Sequence, residues 1–396
     1  MKALLLPFVF LSLLFADSAR PEEAQPFMVT IPLRIEQGLM FTDVVIDGET
    51  YNFLIDTGAP FILSPELAEK INFKSRYSGS VGSSNSKSGV ASVGTMSRKV
   101  EVGGLKFSNF EATVIDYNSN TQAIRCLGFD GFIGSNFMNG TIWHFDYDNK
   151  KAIITNRLRG LPRIKESWQM KMYKQKRSKK PYVPVKVNKG SVGQALFDTG
   201  FAGFFDLPYT SYDKALKGGN LDPDIKIVEG RGIMSEGAFG AEDTTGYFMQ
   251  VPKLSIGKET LEDVEFRMGH TARNKVGVTY LKGRLVTFDY PGKRIFVFEK
   301  ENDFYPTARE SFLFGPTLID GELVVGSIFK DPESSPLQIG DVILEMNGQR
   351  LSDLDECEAL NTMRVAVAQE EEMELRLRRA DKEFNIKISK SLIFSE

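Results

Sequence analysis

Two aspartates occupy the same local sequence at distant points of the chain. Asp56 and Asp198 each begin an Asp-Thr-Gly motif, and each follows a short apolar run. An apolar run predicts a buried strand, and glycine permits a tight turn and the close approach of another backbone. If the two motifs come together, their like charges cannot both ionise easily, so the carboxyls share a proton. Such a pair can act as a base on water and as an acid on a carbonyl oxygen.

Few other side chains could carry catalysis. The chain has 396 residues but only two His and two Cys, which excludes a Cys-rich zinc module and a disulfide-stapled scaffold. His144 and His270 leave few candidates for a metal site or for Ser-His or Cys-His catalysis. The chain has 49 Lys and Arg against 52 Asp and Glu, and this net charge of -3 argues against a nucleic-acid partner. We therefore expect carboxylate chemistry with no metal and no cofactor.

An internal repeat relates the two motifs. Residues 53–58 recur as 195–200 at an offset of 142, and an apolar-Gly segment ending at Gly134 recurs at Gly277 at an offset of 143. Average residue usage predicts only ~0.1 Asp-Thr-Gly tripeptides in a chain of this length, so chance is a poor explanation. The repeat predicts two similar β lobes that face each other around a pseudo-twofold axis.

The pattern within each copy is typical of β structure. Residues 31–35 and 183–187 alternate in polarity, as half-buried strands do. Each copy ends in a predicted hairpin, and a short helix is expected after each Asp-Thr-Gly motif. The predicted turns are 148–150 and 291–293, and the predicted helices are 65–71 and 209–216.

In combination these motifs resemble the single-chain, bilobal pepsin- and retropepsin-like aspartic proteases, over roughly residues 28–300. The resemblance implies a mainly β fold, a peptide or protein substrate, and catalysis by Asp56 and Asp198. It also implies that the hydroxyls of Thr57 and Thr199 interlock the two loops. The remaining loop residues are Gly58, Ala59 and Gly200, and the apolar-Gly segments behind the loops contain Ile133, Gly134, Val276 and Gly277.

The second motif departs from the family pattern. Phe201 follows it where the family has a small residue, whereas Ala59 after the first motif fits. A catalytically inactive peptide-binding protein on the same fold is therefore the alternative to an endopeptidase. The Gly- and Ser-rich segment 78–94 is the candidate for the flap that covers the substrate, with Tyr77 as its candidate tyrosine. A plain surface loop is the other interpretation of that segment.

A third unit follows the repeat. Residues 339–344, Ile-Gly-Asp-Val-Ile-Leu, with Asn347-Gly348 resemble the PDZ domain over roughly 308–391. The resemblance implies that this unit binds a peptide C-terminus by strand addition beside a carboxylate-holding loop. The carboxylate-holding loop would comprise Phe312, Leu313, Phe314 and Gly315. The alternative is that the unit packs against the two lobes and binds no peptide.

The N-terminus has the pattern of an export signal. Lys2 precedes an apolar run, residues 3–16, that is shorter than the ~20 residues needed to span a bilayer. Small residues follow it, and no later segment approaches a membrane span. We expect a protein of the exported bacterial type, periplasmic or extracellular and not membrane-spanning. Because Cys126 and Cys357 fall in different predicted domains, we expect them not to pair.

These observations predict five segments. Residues 157–180 carry ten Lys or Arg and one acidic residue, which favours a solvated connector, with a docking patch for an acidic surface as the alternative. The expected segments are a signal peptide (1–19), lobe 1 (27–157), the basic linker (158–180), lobe 2 (181–300) and a PDZ-like domain (308–391).

Overall fold

Apolar alternation folds the first repeat, residues 28–155, into curled sheets. The computed structural model describes residues 18–394 except 24, 84, 86, 120, 222–224, 270, 301–309, 331–332 and 334. The predicted signal peptide therefore lies almost wholly outside the described residues. The elements are β1 (Met28–Pro32), β2 (Arg34–Glu36), β3 (Leu39–Ile46), β4 (Glu49–Asp56), β5 (Ile62–Leu63), α1 (Pro65–Lys70), β6 (Ser75–Gly82), β7 (Ser88–Met96), β8 (Val100–Val102), β9 (Leu105–Phe107), β10 (Phe110–Val114), α2 (Gln122–Arg125), β11 (Gly131–Gly134), α3 (Ser135–Met138), β12 (Ile142–Asp146) and β13 (Lys151–Thr155).

The second repeat, residues 168–299, has a similar order of elements, but its strands are fewer and longer and no helix in its described part corresponds to α2. Its predicted helix after the second Asp-Thr-Gly motif is present, as is the one in the first repeat, which begins where Ser64 caps the amide of Leu67. The elements are β14 (Trp168–Lys171), β15 (Tyr173–Lys174), β16 (Pro181–Val187), β17 (Gly190–Asp198), β18 (Phe205–Pro208), α4 (Tyr209–Lys217), β19 (Lys226–Gly237), β20 (Gly240–Ile256), β21 (Glu259–Gly269), β22 (Lys275–Gly277), a 3-10 helix (Val278–Leu281), β23 (Arg284–Asp289) and β24 (Arg294–Glu299).

The strand order is the same in both repeats. The first sheet runs β6-β7-β10-β5-β11-β4-β3, and the second runs β19-β20-β21-β18-β22-β17-β16. In each, the strand that ends at the Asp-Thr-Gly motif pairs in parallel with the strand of the apolar-Gly segment. The protein therefore has a mainly β fold of the aspartic-protease type, built from a duplicated unit.

A six-stranded sheet joins the repeats, in the order β1-β13-β12-β23-β24-β14. At its centre β12 and β23 run antiparallel, with His144 opposite Thr287 and 2.8 Å between Nδ1 and Oγ1. Burial lowers the pKa of His144 to about 4, so the imidazole is neutral over most of the pH range. His144 is thus part of the joint between the repeats.

Residues 310–392 form a C-terminal module with its own core. Its helix α5 begins after Asp355, whose carboxylate accepts hydrogen bonds from the amides of Cys357 and Glu358 at 2.9 and 3.0 Å. Among the described residues, neither this helix nor any other is long and apolar enough to cross a membrane. The elements are β25 (Glu310–Ser311), β26 (Phe314–Ile319), β27 (Glu322–Phe329), β28 (Val342–Met346), β29 (Gln349–Arg350), α5 (Glu356–Gln369), β30 (Glu372–Arg379), β31 (Lys382–Ser389) and β32 (Ser391–Leu392).

The module packs against both repeats. Strand β27 pairs with β19 of the second repeat, so one continuous sheet crosses from the repeat into the module. Helix α2 of the first repeat lies against β26, and Ala123 is buried in the module core. The predicted peptide loop contributes to that same core, because Phe312 and Phe314 are both buried there.

The expectation that the two cysteines stay apart is wrong. Cys126 follows α2, Cys357 lies in the first turn of α5, and the two form a disulfide across 231 residues of sequence. Beside it, Arg125 forms an ion pair with Glu356. The prediction placed the cysteines in two separate domains, but the docking of α2 on the module brings them together.

We expect the double substitution Cys126→Ser and Cys357→Ser to lower the free energy of unfolding by about 2–4 kcal/mol, because the bond closes a very long loop. Urea denaturation with and without reductant measures this effect. Reductant should destabilise the native protein and leave the double variant unchanged. A native protein whose stability does not respond to reduction would contradict the role of the bond.

Candidate active site

The two Asp-Thr-Gly loops begin where buried strands end. Asp56 closes β4 opposite Gly134, and Asp198 closes β17 opposite Gly277. A Cβ atom at position 134 would lie 2.1 Å from the carbonyl of Pro60, and one at position 277 would lie 2.0 Å from the oxygen of a neighbouring backbone carbonyl. Both positions require glycine because the loop backbone passes directly over them.

The threonines of the two motifs hold the loops together. The amide of Thr57 donates to Oγ1 of Thr199 at 3.0 Å, and the amide of Thr199 donates to Oγ1 of Thr57 at 3.1 Å. Each hydroxyl then donates across the boundary, Thr57 to the carbonyl of Phe197 and Thr199 to that of Ile55 at 2.8 Å. This symmetrical, fully buried network fixes the two loops face to face.

We expect Thr57→Ala to lower the free energy of unfolding by about 1–3 kcal/mol, because it leaves the amide of Thr199 and the carbonyl of Phe197 without their buried partner. Thr57→Ser keeps the hydroxyl and is the matched control, for which we expect a smaller loss. Denaturant unfolding of both variants measures the difference. Equal stabilities for the Ala and Ser variants would show that the hydroxyl network does not matter.

Each aspartate lies against the loop of the other repeat. The amide of Gly58 donates to Oδ1 of Asp56 at 2.6 Å, and the amide of Gly200 donates to Oδ1 of Asp198 at 3.2 Å. A Cβ atom at Gly58 would meet Oδ1 of Asp198 at 2.3 Å, and one at Gly200 would meet Cγ of Asp56 at 2.4 Å. The two carboxyls are therefore neighbours on the floor of one cleft.

Burial and proximity make this pair share a proton. Burial raises the pKa of Asp56 well above its usual range, and the charge of Asp198 together with a hydrogen bond that protonated Asp56 donates to it raises the pKa further. The nearby Lys180 and the amide of Gly58 oppose the shift. Two carboxyls that interact this strongly titrate as a unit and not as separate groups.

Phe201 packs over a buried ion cluster. Its ring lies 4.5 Å from Nζ of Lys275 and 5.8 Å from the guanidinium carbon of Arg267. Both cations pair with the fully buried Asp206, at 3.2 and 2.9 Å. The large residue after the second motif therefore covers two charges that the first repeat does not have.

A cleft of about 780 Å³ lies above the carboxyls, and hairpins from both repeats roof it. The hairpin β6–β7 contains most of the predicted flap, and its tip meets the tip of β19–β20. Nδ2 of Asn85 donates to the carbonyl of Gly240 at 2.9 Å, and the ring of Phe239 lies against Gly89. The tips of the two hairpins therefore touch each other beside the cleft.

The C-terminal module holds the second of these hairpins. Besides the pairing of β19 with β27, Oε1 of Glu236 accepts a hydrogen bond from the hydroxyl of Thr317 at 2.8 Å. The guanidinium of Arg364 lies 3.6 Å from the other oxygen of Glu236 and also lines the cleft. The module thus forms part of the cleft wall.

The sequence interpretation missed several cleft residues. Lys180 lines the cleft with the two aspartates, although it ends the segment that was expected to be a solvated connector. Asp206 and Arg267 gave no local signal, because their pairing depends on the tertiary fold. Lys275, at an apolar position of the repeat, was the signal that could have revealed a buried ion pair.

Comparison with known proteins supports a protease-like function. Residues 42–137 match the family model described as aspartyl protease, a segment that includes Asp56 and Gly134. No curated protein matches the chain. The matched segment spans the first aspartate loop, and the match suggests that the protein is a hydrolase.

Among solved structures, the chain is similar to two basic 7S globulins and to an aspartic proteinase. Basic 7S globulin from soybean shares 12% identity at a TM-score of 0.42, over 69% of this chain and 95% of that one. Conglutin gamma, a basic 7S globulin from lupine seeds, shares 11% identity at a TM-score of 0.40, over 70% of this chain and 96% of that one. The aspartic proteinase from Irpex lacteus shares 12% identity at a TM-score of 0.41, over 71% of this chain and 100% of that one.

Proposed function

We propose that this protein is an aspartic endopeptidase in which Asp56 and Asp198 together activate one water molecule. The observation that carries the proposal is the placement of two carboxyls, one from each repeat, against each other on the floor of a roofed cleft. The ionised member removes a proton from water, and the protonated member donates to the carbonyl oxygen of the scissile bond. The reciprocal threonine bonds keep both carboxyls in place for this reaction.

A peptide-cleavage assay tests the proposal. The purified mature protein is incubated with a mixture of unstructured peptides from acidic to neutral pH, and the products are identified by mass spectrometry. We expect cleavage at internal peptide bonds with no added metal or cofactor. Peptide binding without any cleavage at any pH would instead favour an inactive peptide-binding protein on this fold.

We also propose that the protein is exported and acts in a periplasm or outside the cell. The apolar run that follows Lys2 supports export, and a disulfide such as Cys126–Cys357 is typical of oxidising compartments. N-terminal sequencing of the protein recovered from outside the cytoplasm should give a start between Asp17 and Glu22. An intact Met1 on cytoplasmic protein would contradict export.

We propose that the C-terminal module is PDZ-like and that it affects the peptidase through its contacts with the β19–β20 hairpin of the cleft. A peptide strand added at the edge of β26 would have to compete with α2, which lies against that strand. Binding of a peptide or partner there would therefore act on the wall of the cleft. A C-terminal peptide that binds the full chain without changing cleavage would contradict this coupling.

A further inference from the structure

Three cations form one wall of the cleft beside the two carboxyls. Lys180 is half-buried and lines the cleft together with Arg177 and Arg273. Burial lowers the pKa of the Lys180 ammonium, the carboxyls of Asp56 and Asp198 oppose this shift, and the charge of Arg273 adds to it. Lys180 is thus close enough to the carboxyls and to Arg273 to interact with all three.

A compact turn carries two of these cations into the cleft. The amide of Gln175 donates to the carbonyl of Lys180 at 3.0 Å, and the amide of Lys179 donates back to the carbonyl of Gln175 at 3.0 Å. The hydroxyl of Ser178 donates to Oε1 of Gln175 at 2.6 Å. At the base of the turn, Nζ of Lys174 donates to the carbonyl of a buried tyrosine at 2.8 Å. The turn is therefore built to hold its shape without a ligand.

Aromatic side chains orient the two guanidinium groups. Arg177 donates to the hydroxyl of Tyr77 on the first cleft hairpin, and its guanidinium carbon lies 5.9 Å from that ring. Arg273 donates to the hydroxyl of Tyr182, with its guanidinium carbon 6.0 Å from the ring. These contacts use one donor of each fork and leave the others available for an anion.

The three cations are not balanced by partners of their own. Within the part of the chain that the structure describes, neither Arg177, Lys180 nor Arg273 forms an ion pair, whereas the other cleft cations pair with Asp206 or Glu236. Two further cleft carboxylates, Glu111 and Glu242, lie on β10 and β20. The charge of Glu242 acts on Arg267, whose cluster with Lys275 and Asp206 has one positive charge in excess. Among the described cleft residues, the three cations of this wall therefore face only Glu111 and the carboxyl pair, which carries one negative charge when it shares a proton, so one positive charge remains in excess.

We propose that this wall is a subsite for an acidic side chain of the substrate, so that the protein prefers peptides with Asp or Glu near the cleaved bond. This inference rests on the proposed peptidase function. A carboxylate there would accept hydrogen bonds from the guanidinium forks and would relieve the repulsion between Lys180 and Arg273. A neutral or basic side chain would leave that repulsion unrelieved.

Matched peptides test the inference. A fluorescein-labelled peptide is made with Glu, Gln or Lys at each position in turn, and kcat/KM is measured for each version. A charge-assisted hydrogen bond predicts that Glu exceeds Gln about tenfold in at least one position and that Lys is the poorest. The ratio of Glu to Gln should fall toward one in Arg177→Gln and in Lys180→Gln.

Lys176 provides the control, because it lies on the same turn and is exposed outside the cleft. We expect Lys176→Gln to keep the native ratio. Arg177→Glu should move the preference toward the Lys peptide, a gain that misfolding cannot produce. Equal ratios in Lys176→Gln and Lys180→Gln would overturn the subsite.

A binding measurement separates this inference from the proposed function. Fluorescence anisotropy of the same peptides with the full-length Asp56→Asn variant gives Kd without turnover. Cleavage with no difference between Glu and Gln at any position overturns the acidic subsite and leaves the peptidase intact. Tighter binding of the Glu peptide with no cleavage by the native protein supports the subsite and overturns the peptidase.

Discussion

Replacing either cleft aspartate with asparagine is expected to abolish peptide cleavage. Asp56→Asn and Asp198→Asn should each lower kcat/KM on the order of 10⁴-fold, because either change removes the shared proton or the base. The double variant should lose little more than each single one, since the two carboxyls act as a unit. Steady-state kinetics of the three variants on one fluorogenic peptide measures this.

The fold should survive these substitutions, because asparagine is nearly isosteric and removes the repulsion between buried carboxyls. Asp47→Asn is the matched control: Asp47 lies on an exposed turn outside the cleft and pairs with Arg98. We expect native activity from this variant. If only Asp56→Asn were inactive, the two-carboxyl mechanism would be wrong for this protein.

Asp206→Asn is expected to lower the free energy of unfolding by about 3–5 kcal/mol, because it leaves the cations of Arg267 and Lys275 without their buried counterion. Asp43→Asn is the matched control, since it breaks an exposed ion pair with Arg34 and should cost less than about 1 kcal/mol. Chemical denaturation at neutral pH compares the two. Equal losses would show that burial of the cluster does not matter.

The buried cluster of Asp206, Arg267 and Lys275 also predicts how the stability of the protein depends on pH. Burial alone would raise the pKa of Asp206, but the charges of Arg267 and Lys275 outweigh it and the pKa is lowered. A lowered folded-state pKa gives stability that is present above the unfolded-state value and is lost as pH falls through the folded-state value. The stability gap between the native protein and Asp206→Asn should therefore persist at mildly acidic pH and close only at strongly acidic pH. A gap that closed near neutral pH would contradict the assignment.

The features that the sequence alone predicted correctly are those that a local residue pattern determines. Strands ending at Asp56 and Asp198 follow from apolar runs, and the equivalence of the two halves follows from the repeat. The helices beginning at Pro65 and Tyr209 lie where they were expected. These features depend on periodicity and turn chemistry, which adjacent residues encode.

The features that were missed depend on contacts between distant segments. The disulfide between Cys126 and Cys357 and the pairing of β19 with β27 both depend on how the C-terminal module docks. The basic segment was expected to be solvated because its composition is polar, yet its turn brings Lys180 beside the carboxyls. Composition describes how a segment interacts with water, but it does not say which cleft the segment enters.

The pH dependence of kcat/KM tests the shared-proton mechanism most directly. A peptide without ionisable side chains reports the titration of the free protein alone. We predict a bell-shaped profile: the acidic limb marks protonation of the ionised carboxyl, and the upper limb marks loss of the shared proton. Because the pKa of Asp56 is raised well above its usual range, the upper limb should lie well above the ordinary carboxyl value of about 4. A rate that rises through neutral pH without an upper limb would contradict catalysis by these two carboxyls.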